Sequence, residues 1–156
     1  MEFRRIIDVQ FKEFDRTIFE KSKEWLEDPE IKRMTNAPDI DPESRERWFQ
    51  SLKERKDYTI FSIWRDEDPI GVAGFKNKTD IDAEAFLYIG EKQYWGKAIG
   101  IDMLKYLVEY GRSIGLSSIY ANIQKENINS YKFAYRLGFK KEEGLDDNSY
   151  LMRYYY

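Results

Sequence analysis

The sequence contains no histidine and no cysteine. Without cysteine there are no disulfides, no thiolate metal sites and no cysteine nucleophile. Without histidine the Ser-His and Cys-His dyads, the usual zinc ligands and the commonest general base near neutral pH are gone as well. No metal is expected, and any acid–base chemistry must run through Glu, Asp, Tyr, Lys or water. Neither sign of charge dominates: 26 Lys and Arg stand against 29 Asp and Glu, a net charge of -3. Nothing in that balance points to a nucleic-acid partner. No apolar run approaches the roughly 20 residues that span a bilayer. The start, Met1-Glu2-Phe3-Arg4-Arg5, is charged and unlike a signal peptide. A cytoplasmic protein with no membrane partner is therefore expected. Internal repeats, low-complexity tracts and Gly/Ser-rich linkers are missing too.

What remains suits one domain over residues 1–156, since two halves of such a chain would each be marginal. A composition that is 42% hydrophobic and 17% aromatic is too apolar for a disordered chain. Residues 3–9 read as a first strand, and Ile18, Phe19, Trp25 and Leu26 line one face of a helix over 15–26. Asp28-Pro29-Glu30 and Asp41-Pro42-Glu43 repeat one start signal. Aspartate caps, proline fits the first helical position, and glutamate suits the positive end of the dipole. Helices over 29–35 and 42–54 follow, joined by a loop at 35–40. Residues 58–64 and 70–76 form a hairpin across the polar turn 65–69, with Gly71 and Gly74 marking a bulge or a close neighbour. A strand at 83–89, a helix at 98–111, a strand at 118–124, a helix at 130–137 and strands at 139–142 and 150–155 complete the chain. Strand–helix–strand succession predicts a parallel pair with a right-handed crossover, and the hairpins predict antiparallel strands. The economical architecture is a mixed sheet with helices on both faces.

The chemistry is concentrated where the strand at 83–89 runs into a turn of small residues that opens the next helix. Gly96, Ala98 and Gly100 leave the backbone unshielded, so successive N–H groups at a helix start can face an anion such as phosphate. The G-x-G-x-x-G spacing of dinucleotide sites is missing, and no G-K-S/T follows as in a P-loop. Plain turn chemistry is the competing reading.

Gln93, Gly96 and Ala98, in the pattern Q-x-x-G-x-A, resemble the acetyl-CoA motif of the GNAT superfamily of N-acetyltransferases. Asn127 and Ser130, followed by Leu137-Gly138-Phe139, are similar to its second signature, in the same order and at the same spacing. The resemblance covers residues 58–155 well and the first third in layout. It implies an α/β (α+β) fold with a mixed, centrally splayed sheet of six to seven strands flanked by helices on both faces. It also implies transfer of an acetyl group from acetyl-CoA, as co-substrate, to a primary amine. Backbone groups of Leu87, Tyr88 and Ile89 would bind the pantetheine arm, and one N–H would polarise the thioester carbonyl. Amides of Tyr94, Trp95, Gly96, Lys97, Ala98, Ile99 and Gly100 would hold the pyrophosphate. Asn127, with Ser130 beside it, would contact the pantetheine. Lys92, Lys97 and Lys132 would either meet the 3′-phosphate or simply be solvated.

Many members of the family protonate the leaving thiolate with a Tyr four residues before the Gly of L-G-F; here that position is Ala134. At about 100° per residue, Asn127, Ser130, Tyr131 and Ala134 share one helix side, which makes Tyr131 the nearest substitute acid or a residue packed at the sheet edge. Tyr135 points about a quarter-turn away. Glu84 is the candidate base, or else a solvated strand-end charge; Asp80 and Asp82 read as turn residues.

In this family the acceptor is chosen by the N-terminal helices, their loop and nearby strands, here Trp25, Arg33, Met34, Asn36, Trp48, Phe75 and Asn77. The layout W-x-x-D-P-E-I-x-x-M, then I-D-P-E-x-x-x-x-W-F, is similar to acetyltransferases of nucleotide-linked amino sugars, and Arg33 or Arg45 would hold the diphosphate. Ribosomal-protein (RimJ/RimL-like), antibiotic and polyamine acetyltransferases share that layout. A non-catalytic CoA-binding module, favoured by Ala134, and a homodimer both stay open.

Overall fold

The protein is described by a computed structural model of residues 9–96, 98–142 and 147–156. Three aspartates set the first three helices. Asp15 accepts from the Ile18 amide at 3.1 Å and caps α1 (Arg16–Glu27). Asp28 accepts from the Glu30 and Ile31 amides and caps α2 (Pro29–Thr35). Asp41 accepts from the Ser44 amide at 2.9 Å and caps α3 (Pro42–Ser51), which continues into a 3-10 turn at Leu52–Glu54. In α2 and α3 the proline stands where a helix has an amide with no internal partner, so its missing N–H costs nothing.

Among the described residues seven strands form one sheet: β1 (Gln10–Glu13), β2 (Thr59–Arg65), β3 (Asp68–Lys76), β4 (Asp82–Ile89), β5 (Ser118–Gln124), β6 (Lys140–Glu142) and β7 (Ser149–Tyr155), in the order β1-β2-β3-β4-β5-β7-β6. The strand read over 3–9 lies outside the described residues except for Val9, and the observed edge strand is β1. Its sequence hides it. Only Phe11 turns inward, stacking on Tyr106 with ring centroids 3.7 Å apart, while Gln10, Lys12 and Glu13 stay exposed; an edge strand needs no more. The hairpin turn is tighter than the polar run suggests, because β3 already includes Asp68 and Pro69. The register steps from Ile63↔Gly71 to Trp64↔Pro69, leaving Ile70 as the bulged residue, and a bulge is where a strand tolerates proline. A Cβ on Gly71 would lie 2.4 Å from the Tyr88 carbonyl oxygen and one on Gly74 2.1 Å from that of Thr59. Both glycines permit close strands.

Alternation along the strands divides the core in two. Ala83 and Ala85 of β4, with Leu87 and Ile89 packed alongside, meet Met103, Leu107 and Ile99 of α4 (Ile99–Ser113) and Ala134 of α5 (Ile128–Leu137). On the opposite face Phe86 and Tyr88 meet Ile18, Phe19, Trp25 and Ile31 of α1 and α2. Helices thus cover both faces, as expected of this sequence.

The parallel pair β4–β5 is short. Its register holds only Asp82↔Ser118, Ala83↔Ile119 and Glu84↔Tyr120, although both strands continue beyond it, so the sheet forks after Glu84. Arg153 of β7 ties the closed end. Its Nη1 donates to Asp82 at 3.1 Å and to Ser118 Oγ at 2.9 Å, and its Nε to Glu142 at 3.0 Å. Arg153→Ala is expected to lower unfolding free energy by about 2 kcal/mol by stranding these partners; an unchanged urea midpoint would contradict it. The Tyr155 hydroxyl, then Arg153, hold the Glu142 carboxyl below its ordinary range. The stability this contributes is complete above the unfolded carboxylate value and fades as pH falls through the lower folded one.

Candidate active site

A cleft of about 550 Å³ opens through the fork. Gly100 and Leu104 of α4 and Asn127, Ser130 and Phe133 of α5 line one side; Phe14, Phe19, Met34, Trp48 and Tyr58 line the other.

One wall is the free edge of β4. The Gly90 amide donates to the Ile70 carbonyl at 2.7 Å. In an antiparallel ladder the polar groups of successive residues turn to alternate sides, so Tyr88 presents its backbone to β3. Leu87 and Ile89 present theirs to the fork, where β5 no longer pairs with them. The sequence-based trio of backbone contacts is therefore split: Leu87 lines the cleft and, like Ile89, turns its backbone to the fork, whereas Tyr88 lines the cleft with its backbone turned to β3. The Ile89 carbonyl already accepts from the Trp95 indole at 2.9 Å, which leaves its amide. Burial pushes the Tyr88 phenol far above its ordinary value, despite Ser22 beside it.

The second element is the start of α4. The helices α1, α2, α3 and α5 are all capped by a side chain, whereas Ala98, which begins α4, makes no side-chain cap hydrogen bond. The first amides of a helix have no carbonyl behind them, so Ile99 and Gly100 present theirs outward. Gly96 and Ala98 are both left-handed, at φ 76 and φ 64, a conformation glycine adopts freely and alanine rarely. Not every amide of the motif is available. Those of Tyr94 and Trp95 close a 3-10 turn by donating to Glu91 and Lys92 carbonyls, each at 3.0 Å. Among the described residues the amides of Gly96, Ala98, Ile99 and Gly100 are the ones left for an anion, and Lys97 lies outside them. Gln93 is exposed, and the Ile99 side chain is buried in the core. Lys92 is already paired with Asp28 and Glu30, both at 2.9 Å, and Lys132 is exposed away from the cleft lining.

From α5 the cleft receives Asn127, Ser130 and Phe133, a spacing of three. The helix starts two residues earlier than read, and Asn127 caps it by accepting from the Ser130 amide at 3.3 Å. That engages the side-chain oxygen and, among the described residues, leaves its amide nitrogen free to donate. Tyr131 is not brought to the cleft: its ring packs on Tyr150 and Tyr135, with centroids at 5.2 and 6.4 Å. The physical reason is the helix's rotation. Ala134, with no exposed surface, faces the core, and Tyr131 turns with it toward β7.

Glu84 stands at the apex, the last residue of β4 paired with β5, and its carboxylate lines the cleft. Asn77, at left-handed φ 52, donates to it at 3.1 Å, and Lys76 Nζ lies 3.7 Å away. Burial raises the Tyr58 hydroxyl above its ordinary value, and the nearby negative charge of Glu84 adds to this. Asp82, tied to Arg153 and Thr79, is structural.

Of the acceptor-side residues, Met34, Asn36, Arg45 and Trp48 line the cleft. Trp25 is buried behind Tyr88 and donates its indole N–H to Glu91. Phe75 is fully buried on the other face, and Arg33 is paired with Glu126 at 3.0 Å. Tyr58, Phe86 and Phe133 escaped the sequence reading. Phe86 stands two residues after Glu84 on one strand face and Phe133 three after Ser130 on one helix face, so those spacings were the available signal.

Residues 7–140 match the family model described as an acetyltransferase (GNAT) domain. An uncharacterised protein of Methanocaldococcus jannaschii, MJ1062, is 30% identical over 107 residues, which is 67% of this chain and 22% of that protein. The chain thus spans about a fifth of that relative's length. A crystallised domain from Methanocaldococcus jannaschii superposes with a TM-score of 0.85 at 23% identity, covering 96% of this chain and 99% of that one. The Campylobacter jejuni N-acetyltransferase PseH, solved in complex with acetyl coenzyme A, superposes with a TM-score of 0.72 at 20% identity, covering 95% and 99%. At these identities the likeness carries the fold.

Proposed function

The chain belongs to the GNAT acetyltransferase domain family, and on that premise we propose that it transfers the acetyl group of acetyl-CoA to the primary amine of a small molecule. The observation that carries this is the fork: two strands that part after Glu84 beside a helix start with no side-chain cap. The amides of Gly96, Ala98, Ile99 and Gly100 would hold the diphosphate, as helix starts do. The free edge of β4 would pair with the pantetheine arm, and the Leu87 or Ile89 amide would donate to the thioester oxygen. One such donor is typically worth about 3 kcal/mol of barrier.

Attack needs a neutral amine. Glu84, at the apex, takes its proton directly or through a water; nitrogen bonds to the carbonyl carbon, and the carbon–sulfur bond breaks. A thiolate of ordinary basicity, pKa about 8.5, leaves without a dedicated acid, so Ala134 does not preclude turnover. The acceptor half resembles that of an amino-sugar acetyltransferase in layout, and a nucleotide-linked amino sugar is the acceptor we favour. Ala134, with Tyr131 outside the cleft, favours the competing reading of a CoA-binding module. Release of CoA thiol with a panel of amines separates the two. Turnover with any amine supports the enzyme; tight acetyl-CoA binding without turnover supports the module.

A further inference from the structure

The acceptor half of the cleft holds a guanidinium with no partner among the described residues. Arg45 lies on α3 three residues before Trp48 and four before Phe49, a spacing that puts all three on the helix's inner face. Trp48 and Phe49 pack against the second core, and Arg45, half-buried, lines the cleft. Among the described residues its side chain has no hydrogen bond or ion pair. Arg16, Arg33, Arg55, Arg112 and Arg153 each hold a carboxylate. Asp41, four residues earlier, is engaged: it accepts from the Ser44 amide and hydroxyl. Across the cleft stand neutral groups, the Tyr88 phenol and Ser22, and the charge of Arg45 is felt at Tyr88.

The charges lining the cleft are uneven. Glu84 is its single carboxylate among the described residues, and it already faces Lys76 at 3.7 Å; Arg45 is the remaining cation. The wall between is apolar and aromatic, with Phe14, Phe19, Trp48 and Phe86. A second ammonium on an acceptor would meet Arg45 and find no acid. A half-buried guanidinium instead favours a carboxylate or phosphate, which it binds in two-point fashion.

We propose that the cleft selects an elongated monoamine bearing an anionic group remote from the amine, with Arg45 receiving the anion and the Glu84 end receiving the amine. It therefore discriminates against polyamines. The word acceptor rests on the acetyltransferase reading; the binding preference does not. Glu84 and Tyr88 stand four residues apart on β4, about 13 Å at the usual rise per residue, and this sets the length scale of the body between the two groups.

The probes are matched in length: octylamine, ω-aminooctanoate, ω-aminooctyl phosphate and the terminal diaminooctane. Each is titrated into CoA-loaded protein, followed by tryptophan fluorescence and calorimetry, with wild type and Arg45→Gln. In wild type the two anionic amines should bind about tenfold or more tighter than octylamine and the diamine, the scale of one charge-assisted contact. Whichever anion binds more tightly tells carboxylate from phosphate. Arg45→Gln should erase the preference while leaving octylamine affinity and the melting temperature unchanged. Equal affinity for all four probes, preference for the diamine, no binding of the anionic probes, or a preference that survives Arg45→Gln would each overturn the proposal. Failure of the acetyltransferase reading is seen separately, as intact binding without acetyl transfer.

Discussion

Gly100→Asp is expected to weaken acetyl-CoA binding by about 100-fold, close to 3 kcal/mol, while leaving the protein at least as stable. The two effects have opposite signs because they come from the same dipole. Gly100 is the second residue of α4, which starts without a side-chain cap. A carboxylate there favours the positive helix end, and replacing a helical glycine removes an entropic cost. The added Cβ would meet the Phe133 ring at 3.6 Å, an ordinary contact. Yet the new charge would occupy the place assigned to phosphate and satisfy the amides meant for it. Calorimetry with acetyl-CoA and a thermal melt read the two effects separately. Lost affinity in a melted variant would say nothing about phosphate, whereas lost affinity in a protein that melts no lower is what the account requires. Unchanged affinity would remove the phosphate assignment.

Glu84→Gln should lower kcat by about 100-fold or more, the usual size of a general-base contribution, with acetyl-CoA affinity unaltered. Glutamine keeps the length of the side chain and can still accept from Asn77, now at 3.1 Å from the carboxylate. The substitution thus removes basicity while the apex of the fork stays filled. The acidic limb of the pH–rate profile should vanish with it. An unaltered kcat and pH profile would discard Glu84 as the base.

Much of the fold is legible in the sequence. The helix starts at Asp15, Asp28 and Asp41 are local events, fixed by side chains two or three residues from the amides they satisfy, so local sequence suffices to find them. The small-residue turn before α4 is equally local. The fork itself follows from resemblance and not from periodicity, because where two strands stop pairing depends on partners far apart in the chain. Three things could not be read. The edge strand β1 carries a single inward aromatic and no strong alternation. The rotation of α5 is set by Ala134 seating in the core, and of Tyr131 and Phe133, which point about 160° apart around a helix, it is Phe133 that faces the cleft. The pairing of charges was also hidden. Lys92 and Arg33 look like ligands in sequence but are held by Asp28, Glu30 and Glu126, while Arg45 has no ion pair among the described residues.

The most direct test is a crystal structure with acetyl-CoA bound. Diphosphate oxygens are expected within hydrogen-bond reach of the Ile99 and Gly100 amides. The pantetheine should run along β4 beside Leu87 and Ile89, and the acetyl carbonyl should lie near Glu84. A cofactor seated elsewhere with that turn bare, or β4 and β5 paired along their full length, would contradict it.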